Sequence, residues 1–173
     1  MKIAQVAPLI ESVPPRLYGG TERIVSYLTE ELVRLGHEVT LFASGDSITS
    51  AELAPCCTRG LRLDPTVRDI IPHFMMMIDK VRERAEQFDH FHFDLFHFPL
   101  FRSLAARTLT TLHGRQDSAR QKLPAPLKFQ DWVGVTEITI KGCGHRSLRS
   151  SASPGAALRT VVGRLRDQSR SRL

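Results

Sequence analysis

Residues 3–7, Ile3-Ala4-Gln5-Val6-Ala7, form a short apolar run that stops at Pro8, the pattern of a buried strand. A loop of turn formers follows, with Pro14, Pro15, Gly19 and Gly20. Ile24, Leu28, Leu32 and Leu35 then recur at helical spacing, with Glu22, Arg23, Glu30, Glu31 and Arg34 off that stripe. Thr21 fits the N-cap of this helix and Gly36 its C-terminal stop. Residues 38–43 read as a second strand. Strand, Gly-rich turn, helix, glycine, strand is a βαβ unit, whose crossover is expected to be right-handed.

Residues 44–65 are polar, hold Pro55, Gly60 and Pro65, and predict an irregular connection. Asp64-Pro65 could cap a second helix, since Ile71, Phe74, Ile78, Val81, Ala85 and Phe88 carry a helical period to about residue 88. Pro72 falls inside that pattern and should break or kink its first turns. Residues 90–93 predict a third strand, 99–106 a short helix, and 108–112 a fourth strand ending at His113-Gly114. The expected fold class is α/β, a Rossmann-like parallel sheet with helices on both faces. Such sheets bind ligands beyond the carboxyl ends of their strands. Here those ends are the 8–20 loop, the 44–46 turn, the 94–97 loop and His113-Gly114.

The length, 173 residues, allows one ordinary domain or a domain with a tail. Charge divides the chain at the point where the alternation stops. Residues 1–114 hold 12 Lys/Arg against 14 Asp/Glu, and residues 115–173 hold 12 against 4. Seven arginines and six serines fall within residues 145–173, a composition too poor in apolar surface to offset the entropy of ordering. We therefore divide the chain into a domain at 1–115 and a basic, poorly ordered tail at 116–173. A run of eighteen apolar residues is absent from the sequence, so no membrane-spanning helix is expected. The first residues lack the apolar core of a secretory signal, which makes the cytoplasm the default compartment. Cys56, Cys57 and Cys143 give neither a disulfide framework nor a zinc spacing.

The stretch Ile3-Ala4-Gln5-Val6-Ala7-Pro8, then Tyr18-Gly19-Gly20-Thr21-Glu22-Arg23, then Leu35-Gly36-His37-Glu38-Val39-Thr40-Leu41-Phe42, and finally Thr111-Leu112-His113-Gly114, resembles the amino-terminal domain of glycosyltransferase family 4. The likeness covers roughly residues 1–115. It implies one half of a GT-B architecture, two Rossmann-like domains facing across a cleft. It further implies transfer of a sugar from a nucleotide diphosphate sugar to an acceptor, with retention of anomeric configuration. The family's carboxy-terminal domain binds most of the donor. Its Gly-rich and paired-glutamate signatures are not recognisable after residue 115, so the chain is expected to be inactive alone. The nucleotide sugar is a co-substrate and no cofactor is expected. A frame disruption near residues 116–118 is the preferred account of the tail. A basic arm that docks on an anionic partner, such as nucleic acid, and a divergent interaction module are the alternatives. The corresponding second reading of the whole chain is a non-catalytic sugar- or phosphate-binding module.

Individual residues carry unequal weight. Gly19 and Gly20 before a helix permit close backbone approach, and the first helical N–H groups attract an anion, so Gly19, Gly20 and Thr21 are candidates for the donor phosphates. A plain tight turn explains the glycines as well. His113 ends a strand at the ligand rim, and the resemblance places it near the reacting sugar as an orienting, charge-stabilising catalytic residue. Asp94, His97 and Gly114 are candidates for the acceptor pocket. His90, His92 and His97 invite a metal reading, and His90 and His92 share one face of a strand, but their neighbours are phenylalanines and no carboxylate cluster is fixed nearby except Asp94. A pocket wall or ordinary packing is preferred to a metal site, and no metal is expected. Glu22 and Glu30, eight apart, imitate a family glutamate pair but read as a solvated helix face. Met75, Met76 and Met77 read as helix core or adaptable packing.

Overall fold

The structure is a computed structural model, and it describes residues 1–94, 103, 104 and 106–111. Five parallel strands form one sheet: β1 (Lys2–Val6), β2 (Glu38–Ser44), β3 (Glu52–Cys57), β4 (His90–Phe93) and β5 (Thr108–Thr110). Their order is β3-β2-β1-β4-β5. The chain thus moves outward from β1 on one side, returns across it, and continues on the other side. That reversal is the switch point at which doubly wound sheets open a crevice.

Helix α1 (Gly20–Arg34) covers one face and α2 (Ile71–Glu83) the other. Alternation along β1 decides which residue meets which helix. Ile3 and Ala7 face α1, where they join Leu28, Leu32 and Val39, and Val13, Val25, Leu41 and Ala43. Ala4 and Val6 face α2, packing with Phe42, Phe91, Phe93, Met77, Ile78 and Val81 in one continuous cluster. Helix α1 ends in a Schellman motif. Gly36 takes φ of +83°, the Gly36 amide donates to Val33 at 2.9 Å, and the His37 amide donates to Leu32 at 3.1 Å.

Several expectations from the sequence are corrected. The segment 44–65 is not wholly irregular: it holds β3, paired in parallel with β2. Pro55 lies inside that strand, which is tolerated because, among the described residues, β3 is an edge with one side unpaired. Pro72 sits in the first turn of α2, where the missing N–H costs nothing, so it starts the helix instead of kinking it. The helix stops at Glu83, and Phe88 reaches the core from extended backbone. Thr21 is not the cap of α1. The cap position is Gly19, without a side-chain hydrogen bond. The last strand ends at Thr110, two residues before the expected 112. The expected helix at 99–106 and the tail at 116–173 lie largely or wholly outside the described residues. Met77 is core, while Met75 and Met76 are exposed.

Candidate functional site

The carboxyl ends of the strands are organised by the loop between β1 and α1. Two neighbouring segments clamp it. The Val13 amide donates to Ser47 Oγ at 2.9 Å and the Ile48 amide to the Val13 carbonyl at 2.8 Å. On its other side Leu61 and Arg62 donate to Leu9 and Ile10. Asp46 accepts from Ser44 Oγ at 2.7 Å and from the Gly60 amide at 3.1 Å, so the turn after β2 is tied to the same place.

The two glycines at the end of this loop differ. A Cβ on Gly19 would lie 2.7 Å from Pro15 Cβ and 2.9 Å from Glu22 Oε2, so the protein's own packing requires glycine there. A Cβ on Gly20 would meet nothing within 4 Å. Nothing in the described packing demands Gly20. Its bare backbone opens outward at the first turn of α1, where helix N–H groups lack internal acceptors.

A carboxylate already stands near that turn. Glu22 is buried, and burial pushes its carboxyl above the ordinary value; Arg62 and backbone N–H groups, its own and that of Glu11, pull the other way. Glu11, also buried, pairs with Arg62 at 3.2 Å, and the Arg62 guanidinium lies 5.6 Å from the Tyr18 ring centre. Glu22 and Glu30 therefore do not form a solvated face. Glu30 accepts from Thr49 Oγ1 at 2.7 Å and from the Ser50 amide at 3.0 Å.

Deeper in the sheet, β1, β4 and β5 contribute a buried polar chain. Gln5 lies in register with His92. Gln5 Nε2 donates to Asp94 Oδ2, Gln5 Oε1 lies 2.9 Å from His92 Nδ1, and His92 Nε2 lies 2.8 Å from Thr111 Oγ1. All four residues are at most 4% exposed. Asp94 continues β4 at the rim, its amide donating to Val6, but its carboxylate turns into this chain instead of toward solvent. Gln5 and Thr111 were not singled out from the sequence. The available signal was a lone amide in the middle of an apolar strand, in phase with His90 and His92. His90 and His92 share one face as expected, and both are buried.

The structure therefore brings Gly19, Gly20, Thr21 and Asp94 to the carboxyl end of the sheet. His97, His113 and Gly114 lie outside the described residues. Among the described residues no three His, Cys, Asp or Glu side chains converge as metal ligands, and no helix is long and apolar enough to cross a membrane. An open cavity of about 810 Å³ lies at the opposite end, lined by the strand starts Lys2, Glu38 and Glu52 and by Arg84 and Asp89. We do not place the chemistry there, because in parallel sheets of this kind the switch-point crevice is at the carboxyl end.

The fold and this rim are those of a Rossmann-like α/β domain. Glycosyltransferase Family 4 matches residues 18–136, more than half of the sequence, and the chain belongs to that family. The match runs past residue 115. Among solved structures, the chain is similar to AviGT4, described as a glycosyltransferase involved in avilamycin A biosynthesis. The identity is 23% and the TM-score 0.40, over 65% of this chain and 32% of that one. The chain thus spans about a third of the length of that structure. No curated protein matches it.

Proposed function

We propose that this chain is the amino-terminal, acceptor-side half of a retaining GT-B glycosyltransferase that draws on a nucleotide diphosphate sugar. The observation that carries the reading is the open main chain at Gly20, at the first turn of α1 and on the switch-point rim, in a chain of Glycosyltransferase Family 4. Amides of Gly19, Gly20 and Thr21 face the donor diphosphate, which an open helix start suits. Diphosphate binding there competes with the Glu22 carboxylate, since like charges at such spacing repel.

In the transfer, the C1–O bond to the donor phosphate breaks and an acceptor oxygen bonds to C1 on the same face. The acceptor proton passes to the departing phosphate oxygen. By the family pattern His113 is assigned to orient and stabilise charge in that step, and Asp94, His97 and Gly114 are assigned to the acceptor. In the family's two-domain architecture a donor-binding domain completes the cleft, so residues 1–173 by themselves are expected to turn over no nucleotide sugar. The compartment of this reading is the cytoplasm.

The test is a titration of UDP and GDP into the ¹⁵N-labelled full chain. Amide shifts at Gly19, Gly20 and Thr21 are expected, and their absence with both nucleotides overturns the donor-site assignment. Turnover of a nucleotide sugar by the purified chain overturns the incomplete-enzyme reading. The charge division favours a second reading, a binding module whose basic segment holds an anionic partner. Salt-sensitive retention on heparin, lost on deleting residues 116–173, is its signature.

A further inference from the structure

We infer that Asp94, Gln5 and His92 form a positioning relay that locks the His92 ring in its Nδ1–H tautomer and thereby pins Thr111, where the chain leaves β5. The inference rests on the transferase reading only for its purpose, because Thr111 precedes His113 by two residues in the sequence.

The logic follows from what each group can donate. An ionised carboxylate only accepts, so Asp94 Oδ2 selects the amide end of Gln5. The carbonyl end of Gln5 must then face His92, and a carbonyl also only accepts. At 2.9 Å the facing Nδ1 therefore carries the proton. In the neutral ring Nε2 is then bare and accepts from the Thr111 hydroxyl at 2.8 Å. Asp94 is also 3.6 Å from His92 Nδ1, which favours a proton on that nitrogen. The links cross between neighbouring strands, with Gln5 on β1, His92 on β4, Asp94 just after β4 and Thr111 just after β5, and the Thr111 amide is tied to β4 by donating to Phe93 at 2.9 Å. The relay thus converts one buried carboxylate at the end of β4 into a fixed hydroxyl at the end of β5.

Long-range ¹H–¹⁵N correlation on the labelled full chain at neutral pH reads the tautomer directly. His92 is identified by the signals that vanish in His92→Phe. The wild type is expected to show a neutral ring protonated at Nδ1. In Asp94→Leu no described side chain orients the Gln5 amide, so the tautomers should mix and the Thr111 amide should exchange about fivefold faster or more, the effect of one lost hydrogen bond. Asp94→Asn, nearly the same shape but able to turn either its carbonyl or its NH2 to Gln5, removes the selection with the least disturbance and should also mix the tautomers, even if the leucine variant fails to fold. An Nε2–H ring or an imidazolium in the wild type overturns the inference. So does a folded Asp94→Asn chain with an unchanged tautomer, or a folded Asp94→Leu chain with unchanged tautomer and Thr111 exchange. None of these readouts involves turnover or nucleotide binding, so failure here and failure of the transferase reading are separate results.

Discussion

Two adjacent glycines, substituted one at a time, separate packing from ligand access. In Gly19→Ala the new methyl would sit 2.7 Å from Pro15 Cβ, 3.0 Å from Pro15 Cγ and 2.9 Å from Glu22 Oε2. The proline ring is rigid and buried, so the loop must shift. Overpacking of this kind costs about 1–3 kcal/mol. The Gly19 backbone, at φ 164°, is extended and open to any residue, so alanine also recovers about 0.4–1 kcal/mol from the unfolded chain. The net expectation is a loss of roughly 1–2 kcal/mol. Gly20→Ala meets nothing within 4 Å and replaces a glycine in a helical turn, so it should gain about 0.5–1 kcal/mol. Urea denaturation monitored by circular dichroism should therefore place the two midpoints on opposite sides of the wild type, with equal slopes. The donor-site proposal adds a second signature: the more stable Gly20→Ala chain should bind UDP less well, because the methyl covers the helix start. Equal midpoints for the two variants would refute the packing argument, and unimpaired UDP binding by Gly20→Ala would refute the role of the open backbone.

Glu22 gives a pH test. Burial above all raises its folded-state pKa, so the native chain holds this proton more tightly than the unfolded chain. Its contribution is therefore present below the ordinary carboxylate range and is lost as pH rises through the folded value. Glu22→Gln should gain stability relative to wild type as pH rises from the ordinary carboxylate range toward neutrality, and a constant difference across that range rules the assignment out. Burial pushes the Cys56 and Cys57 thiols up to about 11 from a reference of 9.0. Near neutral pH their alkylation by iodoacetamide should be about 100-fold slower than that of an ordinary thiol, and peptide mass spectrometry showing free-cysteine rates would contradict this. Gly36→Ala forces a side chain into φ of +83° and should cost about 1–2 kcal/mol, measurable as a lower urea midpoint with unchanged slope.

Where one residue pattern answered one physical demand, the sequence was readable. Helix α1 has a single apolar stripe and a glycine stop, and β1 and β2 are apolar runs between turn formers, so all three were legible within a residue or two. Strand β3 was not, because an edge strand needs hydrogen bonds on one side only and tolerates Pro55 and polar neighbours. Helix α2 was mislocated because a proline reads alike as a breaker inside a helix and as a starter in its first turn. The site divided in the same manner. The turn at Gly19 and Gly20 was legible because it is local in sequence. The different packing of the two glycines was not, since it depends on Pro15 folding back over Gly19. The chain from Asp94 through Gln5 and His92 to Thr111 joins residues up to 106 positions apart in numbering, and only strand pairing brings them together.

The two faces of the sheet make opposite use of burial. The α2 face is one apolar cluster built on Phe42, Phe91 and Phe93, and hydrophobic transfer is enough to explain it. The α1 face is divided into two small apolar clusters, one around Ile3 and one around Ala7, with Gln5 between those residues on β1 and His92 beside it on β4. Apolar side chains of similar volume at Gln5 and His92 would join the clusters and are as a rule neutral or stabilising relative to buried polar pairs. Stability alone therefore does not call for an amide and an imidazole there. What the polar pair supplies is direction: each hydrogen bond has a donor and an acceptor end, and the three bonds among the four groups fit one arrangement of donors and acceptors. A leucine in place of Gln5 could pack in several ways and would leave Asp94 and the end of β5 uncorrelated. The polar chain ends at the carboxyl rim, on the side of the molecule where Gly20 leaves the main chain open, so its rigidity is spent at the rim where the proposed donor site lies.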